Sequence, residues 1–352
     1  MTVAAQVPAS GRFEYVDALR GFAIVLVVLG HALQYTLAAP DGNVMYRLIY
    51  SFHMPLFMFI SGFVYSGARR GVRDELGLKA RTLLLPFIAW LPVTFVWMQW
   101  GPEPLSVQSF VLRIIASPDA GGLWFLWVLF LINVLILVGR LILPSRPLLA
   151  ASAIWLLLNV VVLARPDANT LGIKLLCWHF PFFVAGLIFR RRGAAGALRA
   201  PVVIACAVLF LLLFQGWARV GNGGPVQVLG AWHGALAVLL LRAFNYTTAF
   251  LAIFTLFGLF SSAFMSGAAR AFEGFGRISL EIYASHIYFV AMAVSASAQA
   301  GWPDGLRVIA AFVVGLAGAL LSSRLIKLWP ALALLMFGAR RPAAAVALPV
   351  KA

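Results

Sequence analysis

An acid, an arginine and a histidine share one apolar stretch, Phe13 to Tyr35. Asp17 and Arg20 stand where the apolar run begins, and His31 follows eleven residues after Arg20. Read as a helix at ~100° per residue, eleven residues leave a net turn of about 20°, and the step from Asp17 to His31 leaves about −40°. All three side chains then share a face, with His31 ~16 Å beyond Arg20, near the middle of a ~30 Å hydrocarbon layer. An ionisable group at that depth is expensive and marks function. A neutral imidazole there is suited to take a proton from an attacking hydroxyl. Arg20, at the mouth, suits an anionic substrate group or organises the acid.

Four further stretches hold polar groups. Residues 51–62 place His53 at the start of a second apolar run, with Pro55 in its first turn, where backbone N–H groups lack intrahelical partners. Residues 67–81 are basic; Arg69, Arg70, Lys79 and Arg81 form a dock for phosphates, and the last two lead into a third run. Residues 277–287 put Glu281 inside a span, with Ser285 and Tyr288 on its face and His286 about 140° away. Trp124 opens another run after two glycines. His179 and His233 read as structural. Cys177 and Cys206 fall in apolar runs, with no metal or disulfide spacing.

The elements that position these groups follow from composition. The chain has 352 residues, 63% of them hydrophobic and 11% charged. Soluble domains carry about 25% charged residues, so this is an all-α polytopic membrane protein. Apolar runs near 16–38, 44–66, 82–100, 122–143, 147–164, 171–189, 200–217, 246–265, 278–299 and 306–328 give ten expected spans. The first reads as a retained span rather than a signal peptide. Segment 225–243 is ambiguous: an eleventh span, a re-entrant or interfacial helix, or part of one long bent helix.

With ten spans and both termini cytoplasmic, twenty of the 27 Lys and Arg fall on the cytoplasmic side and seven outside. An eleventh span would make the split fifteen to twelve, so ten fits the positive-inside rule better. The net charge of +16 is then loop charge and not a nucleic-acid footprint. Residues 1–337 form one transmembrane domain, and 338–352 are an Ala- and Pro-rich tail expected to be disordered.

The motifs Asp17-Ala-Leu-Arg-Gly-Phe-Ala…His31, Phe52-His-Met-Pro-Leu-Phe-Met-Phe-Ile-Ser-Gly62, Leu83-Leu-Leu-Pro86, Trp124-Phe-Leu126, Phe180-Pro-Phe-Phe…Gly186 and Ile278-Ser-Leu-Glu-Ile-Tyr-Ala-Ser-His286 resemble the membrane acyltransferase 3 family. The similarity is greatest to its branch of sugar O-acetyltransferases related to fucose 4-O-acetylase. It covers essentially the whole chain, and its first two motifs together are specific. The resemblance implies ten helices, and transfer of an acetyl group from acetyl-CoA to a hydroxyl of a carbohydrate or lipid-linked glycan. It implies Arg20 and His31 as the essential pair. The family's usual Arg-x-x-Arg before the third span is Lys79-Ala-Arg81 here, an imperfect match.

The expected catalytic set is therefore His31, Arg20, Asp17 and Glu281. Arg69, Arg70, Lys79 and Arg81 are expected to hold CoA, and His53, Trp124 and His286 to meet substrate. No metal is expected, the surroundings are membrane lipid, and a bacterial inner membrane is the expected location. Asp17 lies ~20 Å along the helix from His31, too far to orient its ring, which leaves the orienting group unnamed. The competing reading is a proton-coupled transporter using His31 and Glu281.

Overall fold

The structure is a computed structural model and describes residues 14–66, 70–101, 104–118, 122–164, 170–192, 198–218, 235–262 and 266–338. Arg69, His233, residues 225–234 and the tail from 339 onwards lie outside the described residues. Among the described residues every regular element is helical. Each of the ten apolar runs forms a helix. Seven helices are long and apolar enough to cross a membrane, or eight if one bent pair counts as a single span.

Two compact units are present. The first holds α1 (Glu14–Thr36), α2 (Val44–Phe63), most of α8 (Ile173–Arg191), α9 (Ala200–Phe214), α10 (Ala235–Ser261), α11 (Ser266–Arg277), α12 (Ser279–Gln299) and α13 (Asp304–Lys327) as far as Ala319. Helix α1 is its axis and packs on α2, α10, α11 and α12. Residues 235–243 continue without a break into the following span as α10, so this part of the ambiguous segment belongs to one long helix.

Small residues let these helices approach closely, as bundles in lipid require. Gly21 of α1 and Gly276 of α11 interlock. A Cβ on Gly21 would fall 1.8 Å from Phe272 O, and one on Gly276 would fall 1.7 Å from Asp17 O. Helix α11 then turns through 82° into α12, so the chain that grips the start of α1 re-enters beside its middle. Arg277, at the bend, pairs with Glu273 one turn earlier.

The second unit holds α3 (Val72–Lys79), α4 (Leu85–Met98), α5 (Val107–Ala116), α6 (Trp124–Ile142), α7 (Pro147–Ala164) and α14 (Pro330–Phe337). A π-helical turn, Ala80–Leu84, joins α3 to α4. The helix thus starts at Val72, earlier than the apolar run suggests, and Lys79 and Arg81 lie on it rather than in a loop before it. Helix α14 packs on α4, where Trp90 Nε1 donates to Met336 O at 2.9 Å. Gly338 ends α14 in the left-handed region, its Cα facing the backbone of Arg81 and Thr82, where a Cβ would find 2.6 Å.

Candidate active site

In the first unit three of the expected site residues lie on α1. Asp17 is 5% exposed, in the first turn, where the helix dipole favours a carboxylate. Arg20 Nη1 donates to its Oδ1 at 3.3 Å, the i,i+3 pair that the spacing predicts. The chain then runs apolar to His31, a half-buried residue whose ring stacks on Tyr35 with centroids 6.0 Å apart.

The group that meets His31 comes from α12. His31 Nδ1 lies 2.9 Å from His286 Nε2, and the ring centroids are 5.1 Å apart. His286 is 1% exposed. Its Nδ1 lies 2.9 Å from the carbonyl oxygens of both Ile282 and Tyr283, one turn back on its own helix. Both nitrogens of His286 therefore lie within hydrogen-bond distance of protein groups, one of them on His31.

Glu281 sits half-buried in the first turn of α12, five residues before His286. Five residues turn ~140° and advance ~7.5 Å, so Glu281 and His286 lie on different faces of α12, and His286 is the one seen to meet His31 of α1. Ser285, on the Glu281 side, donates back to Glu281 O at 2.9 Å.

His53 lies in the middle of α2 rather than at its start, with Pro55 inside the helix rather than in its first turn, because the helix already begins at Val44. It is 6% exposed, and its Nδ1 donates to Ile49 O at 2.7 Å. Its ring meets Tyr50 edge-on with centroids 4.8 Å apart, and the Tyr50 hydroxyl donates to Gln34 Oε1 on α1. Tyr50 and Gln34 thus tie His53 to the helix that carries His31, a link with no signature in the spacing of either segment. Trp124 is the first residue of α6, in the other unit, its ring 6.3 Å from Phe125.

The basic stretch divides. Arg70 and Arg81 line one cavity of about 310 Å³ together with Asp74, Gly77 and Leu78. Arg81 stands on the π turn, a local widening that recurs at functional positions. Its Nε is buried without a hydrogen-bond partner among the described residues. Arg70 is fixed through its backbone, whose carbonyl accepts from Arg140 Nη2 at 2.7 Å. Lys79 instead lies 3.5 Å from Glu75, whose side chain is 2% exposed. That pair is local, at the i,i+4 spacing where opposite charges meet on a helix.

Fold and site together define an all-α integral membrane protein with a histidine pair inside a helix bundle. The chain matches the family described as "Acyltransferase domain" over residues 13–324, and it belongs to that family. It is also similar to two proteins named nodulation protein NolL. One, from Mesorhizobium japonicum, is 28% identical over 215 residues, which cover 58% of this chain and 56% of that protein. The other, from Sinorhizobium fredii, is 31% identical over 225 residues, covering 60% and 59%. The chain spans a little under three-fifths of the length of these curated relatives. No solved structure matches it.

Proposed function

We propose that this protein is a membrane O-acyltransferase that moves an acyl group, acetyl in the first instance, from acyl-CoA to a carbohydrate hydroxyl, with His31 as general base. The observation that carries the reading is His31 itself: a half-buried imidazole five residues before the end of α1 whose Nδ1 lies 2.9 Å from another histidine. Membership of the acyltransferase family supplies the reaction class. The protein's place is a bacterial inner membrane, a reading supported by membership of the acyltransferase family, by several apolar helices and by relatives from two bacteria.

The chemistry is direct transfer. The acceptor oxygen attacks the thioester carbonyl carbon while His31 takes the hydroxyl proton. The C–S bond breaks, the thiolate leaves, and it recovers that proton from the imidazolium. The products are an ester and the free CoA thiol, and His31 returns to neutral. Arg20, steadied by Asp17, meets an anionic part of a substrate. The cavity holding Arg70 and Arg81 takes a phosphate of the nucleotide end, and the buried Arg81 Nε supports this assignment.

The test is purified protein in lipid nanodiscs with radiolabelled acetyl-CoA and a panel of glycans. Label should pass to a glycan, and His31→Ala should lower that rate by about 10²- to 10⁴-fold in a folded protein. An alanine variant that transfers at the wild-type rate would overturn the assignment of His31. Uptake of labelled sugar into vesicles without acyl-CoA, and no acyl transfer, would favour the transporter reading instead.

A further inference from the structure

The hydrogen bonds around His286 fix which nitrogen of His31 can accept a proton. Carbonyl oxygens only accept, so His286 Nδ1, 2.9 Å from those of Ile282 and Tyr283, must carry a hydrogen. Each of these carbonyls has a second lone pair beyond the one used by the helix, so the ring is clamped without breaking a backbone bond. A neutral imidazole has only one N–H, so His286 Nε2 holds a lone pair. His31 Nδ1, 2.9 Å away, must then be the donor. That leaves the lone pair of His31 on Nε2. The reverse arrangement needs a doubly protonated His286, a cation in a position 1% exposed, which burial disfavours.

The backbone holds this geometry from a third side. Gly315 of α13 lies where a Cβ would fall 2.5 Å from Val290 and 3.2 Å from Val28. Val290 is one turn beyond His286, and Val28 is one turn before His31. The missing side chain lets α13 press on both helices beside the pair.

We infer that His286 is a positioning residue: it holds His31 as the Nδ1–H tautomer and presents Nε2 as the base nitrogen. This rests on the reading of His31 as general base. When the acceptor O–H bond breaks, the new N–H forms at His31 Nε2. The Nδ1–H of the resulting imidazolium continues to donate to His286 Nε2. No further proton moves, because His286 Nδ1 keeps its hydrogen on the carbonyls. The chain Tyr283/Ile282 carbonyl, His286, His31 is thus a fixed orienting relay that ends on the lone pair of His31 Nε2.

The experiment pairs two variants with a spectroscopic signature. His286→Gln puts an amide oxygen near the place of Nε2 and keeps an acceptor; His286→Leu removes it at similar bulk. In ¹⁵N-histidine protein, with His31 signals identified by their loss in His31→Ala, wild type should show His31 protonated at Nδ1 and bare at Nε2. His286→Leu should show mixed tautomers and a kcat lower by on the order of 10²-fold, with KM for acyl-CoA unchanged. His286→Gln should recover kcat to within about tenfold of wild type. His31 protonated at Nε2 in wild type would overturn the inference, and this holds even if the leucine variant does not fold. So would a leucine variant with wild-type kcat. If His31→Ala retains activity, the general-base reading itself falls. If His31→Ala is inactive while His286→Leu is fully active, only the role of His286 falls.

Discussion

Gly62 of α2 and Gly186 of α8 meet backbone to backbone. A Cβ on Gly62 would fall 1.9 Å from Phe183 O, and one on Gly186 would fall 2.0 Å from Phe59 O. This repeats, on another pair of helices, the reciprocal approach of Gly21 and Gly276. In both cases the obstructing atom is a carbonyl oxygen, which cannot swing aside as a side-chain end can.

Alanine at any of these four glycines should therefore destabilise the protein by about 1–3 kcal/mol through overpacking. Gly274→Ala supplies the contrast, since nothing lies within 4 Å of its Cβ position on the same helix as Gly276. There alanine should be neutral or stabilising by about 0.5–1 kcal/mol, from better helix propensity. Thermal unfolding in one detergent, variant against wild type, reads the sign directly.

Gly315→Leu should lower kcat without touching either histidine. The new side chain must displace Val28 or Val290 and so part α1 from α12 at the pair. A drop of about tenfold or more is expected, because small misplacements near the chemistry are costly. Unchanged kcat in a folded Gly315→Leu protein would show that the spacing of these helices tolerates a larger residue.

Arg81→Ala should raise KM for acyl-CoA by roughly tenfold, the loss of a charge-assisted contact, and leave kcat nearly intact. Lys79→Ala should behave differently. It strands Glu75, whose side chain is 2% exposed, and should destabilise the fold by roughly 3 kcal/mol with little change in KM. Steady-state kinetics together with thermal unfolding separate the two. A Lys79 effect confined to KM would return that lysine to the phosphate site.

Arg20→Ala should harm the protein more than Asp17→Asn. The first leaves a carboxylate 5% exposed without its arginine, whereas the second removes a charge that needs one. A double-mutant cycle measures the coupling, and the double variant should be closer to Asp17→Asn than the two single losses added together.

Local relationships were legible in the sequence and distant ones were not. Every apolar run is a helix because a run of that length has no other way to satisfy its backbone in lipid. The pairing of Asp17 with Arg20 could be read because three residues fix the angle between them. Nothing in periodicity joins His31 to His286: a helical wheel gives each residue a face but not the neighbour that the face will meet. A carboxylate inside a span is the costlier group, so the sequence singles out Glu281 for catalysis and His286 only for substrate contact. His286, five positions on and on another face, lies 2.9 Å from His31 of α1. The start of the third helix is hidden from hydropathy for a related reason. Hydropathy marks where lipid begins, while the helix itself begins at Val72, among charged residues that water can solvate.

The pairing of residues 31 and 286 also orders events in time. A ribosome adding about 5–20 residues per second needs roughly 13–50 s to make the 255 residues that separate them. Throughout that interval α1 stands in the membrane with its histidine made and its partner not yet translated. The nascent chain therefore carries His31 without its partner until α12, the ninth of its apolar runs, has been made. Premature termination anywhere before α12 leaves a product that can bury helices but cannot assemble the pair.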